Sequence, residues 1–101
     1  METIATQVAR GAEWLDAEAP GWEDKVDTAA LNMVNKCVYM QVFGGTGAFF
    51  DLVFVEKGAY WAYQHGFSVY GRDEWIATIE ARRAEKRVAV EVHTEAEVVH
   101  G

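Results

Sequence analysis

Ile4, Val8, Ala12 and Leu15 recur at spacings of four, four and three, which places them on one face of a helix. Pro20-Gly21 stops that helix. Gly11 inside it costs about 1 kcal/mol relative to alanine, a cost that makes sense where another backbone packs closely. From Trp22 to Asn35 the apolar residues Val26, Leu31, Met33 and Val34 follow no sustained period, so this stretch predicts a loop with one short helical turn.

Two apolar runs follow, Cys37 to Phe43 and Ala48 to Val55, separated by Gly44-Gly45-Thr46-Gly47. Their β-branched and aromatic content around a glycine turn suits a β-hairpin at 37–55. Runs that are apolar on every side suit buried helices equally well, and periodicity does not separate the two. Residues 57–65 carry a dense aromatic set, after which Gly66 and then Phe67 read as a helix C-cap with an apolar residue folding back. The next helix begins with Asp73 and Glu74, carries Trp75, Ile76 and Ile79 on its inner face, and meets Arg82, Arg83 and Lys86 near its expected end. This order of charge matches the helix dipole. Val88, Val90 and Val92 then alternate with Ala89, Glu91 and His93, the pattern of a half-buried strand.

The pattern therefore predicts a mainly α fold, a small single-domain bundle of three to four helices, with a C-terminal β-strand at 88–92 as an addition. The alternative is an α+β fold in which that strand pairs with a hairpin at 37–55. A chain of 101 residues suits one domain, 1–101, with 94–101 expected as a loose tail.

Charge narrows the partners. The net charge is -7, with seven acidic and two basic residues in 1–35, two of each in 36–71, and seven acidic against five basic in 72–101. Such a balance repels phosphate and argues against direct nucleic-acid binding, leaving one local basic patch at Arg82, Arg83, Lys86 and Arg87. No apolar run approaches the roughly 20 residues that span a bilayer, so no membrane association is expected. A single cysteine, Cys37, and a start without a leader pattern predict a reducing, cytoplasmic setting.

Candidate chemistry is sparse. The 44–47 glycines lack the lysine and hydroxyl residue of a phosphate-binding loop, and Phe50 stands where a dinucleotide loop places its third glycine. Cys37, His65, His93 and His100 are spread at intervals of 28, 28 and 7, unlike the close pairs of a metal site, so no metal and no cofactor is expected. Acidic pairs such as Asp16 with Glu18, or Glu23 with Asp24, read as solvated surface around the Pro20-Gly21 turn. Aromatic residues carry the strongest signal: Tyr60, Trp61, Tyr63 and Phe67 fall within eight positions, and Trp22 adjoins a turn. Tyrosine and tryptophan bury large areas for few rotatable bonds and dominate interface hot spots. Trp22, Tyr60, Trp61 and Tyr63 are accordingly the candidate protein-binding residues. On a helix, Tyr60 and Tyr63 share a face that Trp61 does not, so at least one of the three points outward.

Read in order, Gly11-Ala12-Glu13-Trp14-Leu15-Asp16, Pro20-Gly21-Trp22, Val26-Asp27 with Leu31, Cys37-Val38, Gln41-Val42-Phe43-Gly44, Gly66-Phe67, and Trp75, Ile79 and Arg82-Arg83 form a series. Over roughly residues 11–83 it resembles small accessory proteins encoded by bacteriophages of actinobacteria. Those proteins usually show leucine and glycine where this chain has Tyr39 and Met40, and 84–101 lies outside the pattern. The resemblance implies no activity, but it implies helix rather than hairpin at 37–44. Together with the absent catalytic set, it points to a non-enzymatic accessory protein that binds a host or phage protein in the host cytoplasm through exposed aromatics and an acidic surface, and a homodimer is a further expectation. Two alternatives stand beside it: an acidic DNA mimic that inhibits a nucleic-acid-binding protein, and a small enzyme with a Cys37/His65 site.

Overall fold

The computed structural model describes the backbone of residues 2–100 and the side chains of residues 2–90. Helix α1, Ile4–Glu18, opens on Thr3, whose hydroxyl accepts the Thr6 amide at 3.1 Å, an N-cap that satisfies one of the otherwise free first-turn donors. It buries Val8, Ala12 and Leu15 as their spacing predicts, together with Gln7 and Gly11. Past Ala19 the chain reverses through Gly21, whose φ of 84° favours glycine, and enters a 3-10 turn at Trp22–Asp24.

Residues 25–37 contain little regular structure, yet they are tied down. The Asp27 carboxylate accepts the Ala29 and Ala30 amides at 3.0 and 3.3 Å, and Asn32 and Lys36 exchange backbone hydrogen bonds at 3.2 and 2.9 Å. The Gln41 side chain accepts the Asp27 amide at 2.7 Å and donates to the Lys36 carbonyl at 3.0 Å. With its polar groups satisfied in this way, the loop places Val26, Leu31 and Met33 in the core.

The ambiguous stretch is helical. Helix α2, Val38–Phe43, ends on Gly44 with φ 111°, and helix α3, Thr46–Asp51, runs on into a π-helical turn at Leu52–Glu56. The 44–47 glycines thus join two short helices, and the hairpin alternative at 37–55 does not form. Helix α4, Ala59–Gln64, closes as expected at its C-terminus: the Phe67 amide donates to the Ala62 carbonyl at 2.9 Å and the Phe67 ring turns back into the core.

Helix α5, Arg72–His100, is far longer than its charge pattern suggests. It continues through 88–92, so the expected strand is corrected to helix. With no hairpin there is no sheet edge for a strand to pair with, whereas a helix satisfies its own backbone groups. Val88 and Val90 are consequently exposed. The expectation of a loose tail at 94–101 falls on residues whose side chains lie outside those described. Arg82, Arg83 and Lys86 are mid-helix rather than at its end, so their role is not to complement the dipole.

They reach across the fold instead. Arg82 pairs with Asp16, and Lys86 pairs with Glu23 and with Asp24, the latter at 2.9 Å. Arg83 donates from Nε and from one terminal nitrogen to the Glu23 carbonyl, at 3.0 and 2.6 Å. Arg72 donates to the Leu31 carbonyl at 2.8 Å. The core below them is aromatic: the Trp22 ring meets Trp75 edge-on at 5.8 Å, and Phe67 stacks on Trp75 at 5.6 Å. Both indoles spend their polar handle, Trp75 on the Gly66 carbonyl at 2.6 Å and Trp22 on Asp16 at 2.9 Å. The result is a small, mainly α domain, and no strand element is present among the described residues.

Candidate functional site

The four aromatic residues singled out in the sequence separate into two groups. Trp22 is fully buried, at 0% exposure, and its indole is committed to Trp75 and Asp16, so it is a core residue and not a binding anchor. Tyr60 and Tyr63 stand exposed at 73% and 48% on α4, as their shared face predicts. Trp61 points the other way and is half-buried. It meets Trp14 edge-on at 5.0 Å and stacks on the His65 ring at 3.8 Å.

Sequence reasoning missed three further apolar side chains. Phe50, Phe54 and Val55 are all exposed, and the first two stack on each other at 5.8 Å. The signal was present: Phe49 to Val55 is apolar except at Asp51, and a helical segment apolar all round either buries every side or shows one to water. Here Leu52 takes the core side and Phe50 with Phe54, one turn apart, takes the other. Phe50, Phe54 and Val55 are thus exposed at the α3 end and the π turn, and Tyr60 and Tyr63 are exposed on α4, the element that packs against that turn.

A separate cleft of about 460 Å³ is lined by Trp14, Glu18, Tyr39, Phe43, Glu56 and Lys57. Tyr39 stacks near Trp14 at 6.2 Å and packs on Phe43 at 4.6 Å. A wider depression of about 860 Å³ runs along α5 between Asp24, Glu80, Arg83, Lys86, Arg87 and Val90. Two of its cations, Arg83 and Lys86, are already engaged by the 22–26 segment.

The reactive groups do not assemble. Cys37 is buried at the start of α2, and burial pushes its thiol up against the smaller opposing effect of backbone hydrogen bonds around it. At neutral pH it is a protonated, shielded thiol, the reverse of an activated nucleophile. His65 Nδ1 lies 2.7 Å from the Trp61 carbonyl and its ring is stacked, which marks it as part of a helix end. Among the described residues no group of three His, Cys, Asp or Glu side chains is placed to hold a metal ion. Nor is any described helix long and apolar enough to cross a membrane.

Comparison with protein-family models, with curated proteins and with solved structures finds no match to the chain.

Proposed function

We propose that the protein is a non-enzymatic, phage-encoded accessory protein that binds a host or phage protein in the host cytoplasm through the face formed by Phe50, Phe54, Val55, Tyr60 and Tyr63. The observation that carries this reading is the exposure of large apolar side chains close together in the chain, with Phe54 76% and Tyr60 73% exposed; outside this stretch Tyr70 is the other strongly exposed ring, at 67%. Scattered apolar residues on a surface call for no explanation, but a face of two phenylalanines, a valine and two tyrosines has the composition of an interface centre. The resemblance to actinobacteriophage proteins supplies the setting.

The DNA-mimic alternative loses support. Four of the seven acidic groups in residues 1–35, namely Glu2, Asp16, Glu23 and Asp24, are paired with Arg10, Arg82 or Lys86 of the same chain. A mimic needs its charges free for a basic groove. The Cys/His enzyme alternative likewise lacks an exposed thiol.

Affinity capture from an actinobacterial lysate tests the proposal, with the wild type compared against a Phe54→Ser, Tyr60→Ser double variant whose fold is verified by circular dichroism. A partner retained by the wild type and lost by the variant is the expected result. Equal capture by both, or none at micromolar bait, refutes it.

A further inference from the structure

We infer that the Phe50–Phe54 surface takes a basic amphipathic helix: apolar residues along one side, with lysine or arginine at their edges. The inference rests on the reading of this surface as a protein-binding face and adds what the face selects. Phe50 and Phe54 stack at 5.8 Å and stand 57% and 76% exposed, with Val55 beside them at 77%. The turn that carries Phe54 and Val55 is π-helical, its Lys57 amide donating to the Leu52 carbonyl at 2.8 Å, five residues back. A π turn holds more residues than an α turn, so consecutive side chains diverge less around the axis and Phe54 and Val55 share the outer side. The product is a short apolar ridge on a helix. Such ridges seat in the grooves of another helix, and no strand edge is present among the described residues to recruit an extended peptide instead.

Charge selects which helix. Asp51 follows Phe50 and Glu56 follows Val55, both exposed and both outside the ion pairs formed among the described residues. Glu2, Asp16, Glu23 and Asp24, by contrast, each have a cation of the same chain. The one cation in residues 46–58, Lys57, has its Nζ over the Trp61 ring, 5.8 Å from the centroid. Tyr39 meets Phe49 edge-on at 6.2 Å, and its phenol is pushed up first by burial and then by the charges of Glu56 and Asp51. The two carboxylates therefore bear on one neighbourhood. An apolar ridge edged by two uncommitted carboxylates attracts a partner with positive edges and repels an acidic one.

Fluorescence anisotropy with labelled model helices tests this. The probes are amphipathic peptides of about twenty residues, leucine on one face and lysine, glutamine or glutamate on the other, titrated with the full chain. The leucine/lysine helix is expected to bind with a Kd on the order of 0.1 mM, the leucine/glutamine helix about tenfold more weakly, and the leucine/glutamate helix not measurably. Phe54→Ser, at an exposed position, should weaken the leucine/lysine helix by at least about tenfold, and Asp51→Asn with Glu56→Gln by about fivefold. Binding that survives Phe54→Ser is attraction to the net charge of -7 and overturns the inference, as does binding indifferent to the paired charge variant. Equal binding of the glutamine helix overturns the charge selection while leaving the protein-binding face intact. A chain that sediments as a dimer and reverts to monomer on Phe54→Ser assigns the surface to a second copy and overturns it too. No binding of any probe up to about 1 mM overturns this inference alone, because capture from a lysate judges the protein-binding face separately.

Discussion

Replacing Gly11 by alanine should destabilise this protein although alanine is the better helix former. On an isolated helix the change favours folding by about 1 kcal/mol. Here a Cβ at position 11 would intrude on the His65 carbonyl oxygen, and would lie 3.0 Å from the carbon of that carbonyl and 3.0 Å from Cη2 of Trp75. The obstacle is backbone at the end of α4 and a fully buried indole, neither of which swings away as a flexible side chain does. Overpacking of this kind costs about 1–3 kcal/mol and sometimes more, and a backbone obstacle puts it at the upper end. With the propensity gain subtracted, the net loss is about 2 kcal/mol, which for a domain of this size lowers Tm by about 8–16 °C. Gly47→Ala is the internal control, because it lies in α3 and an added Cβ meets nothing within 4 Å. That variant should gain about 0.4–1 kcal/mol. Urea and thermal unfolding followed by circular dichroism measure both. A Gly11→Ala protein at least as stable as the wild type would refute the close α1–α4 approach.

Three other measurements bear on the core and its charges. Trp22→Ala, which empties a fully buried site and frees Asp16 from its indole partner, should cost about 3–5 kcal/mol, whereas Tyr60→Ala should stay within about 0.5 kcal/mol in the same urea titration. Burial pushes the Asp16 carboxyl up, but the Arg82 and Trp22 hydrogen bonds outweigh it, so its folded value lies below the ordinary one. A lowered carboxylate contributes stability that is complete above the unfolded value of about 3.9 and is lost as pH falls through the folded value. The gap between wild type and Asp16→Asn should therefore hold steady from about pH 7 to 5 and close below about pH 4. A gap that widens on acidification would contradict the pairing. Cys37 should react with a thiol reagent on the order of a hundredfold more slowly in the native protein than in urea, and prompt native labelling would revive the thiol-enzyme alternative.

What was legible in the sequence was whatever local spacing decides. The buried α1 face followed from Val8, Ala12 and Leu15, while Ile4 at the helix start is 39% exposed, and the Gly66-Phe67 cap followed from a glycine set behind an aromatic helix. Even the oddity of Gly11 carried its own explanation, a neighbouring backbone, which proved to be that of His65. What was not legible depended on distant partners. Val88 to Val92 alternates with period two, but Val88 and Val92 also sit one helical turn apart. The choice between strand and helix turned on whether 37–55 offered an edge to pair with. The cations of α5 show the same limit from the other side. Their order fits a helix terminus, yet the helix runs on to His100 and they instead bind Asp16, Glu23 and Asp24, some sixty residues away in the chain.

The aromatic residues show how far composition alone carries a functional reading. A tryptophan beside a turn looks exposed, but Trp22 follows a reversal that folds the 22–26 segment under α5, where Arg83 holds its carbonyls and Trp75 receives the ring. Position along the chain misled there because a long-range contact set the burial. Within α4 the inference succeeded because it was geometric: residues 60 and 63 share a face, 61 does not, and a helix packed on one side must turn the other to solvent. The same reasoning applied to Phe50 and Phe54, four apart in an apolar run with Leu52 between them, would have found the missed half of the surface. A fully apolar short helix therefore carries information about the surface, since a domain this small has too little interior to hide every side of it.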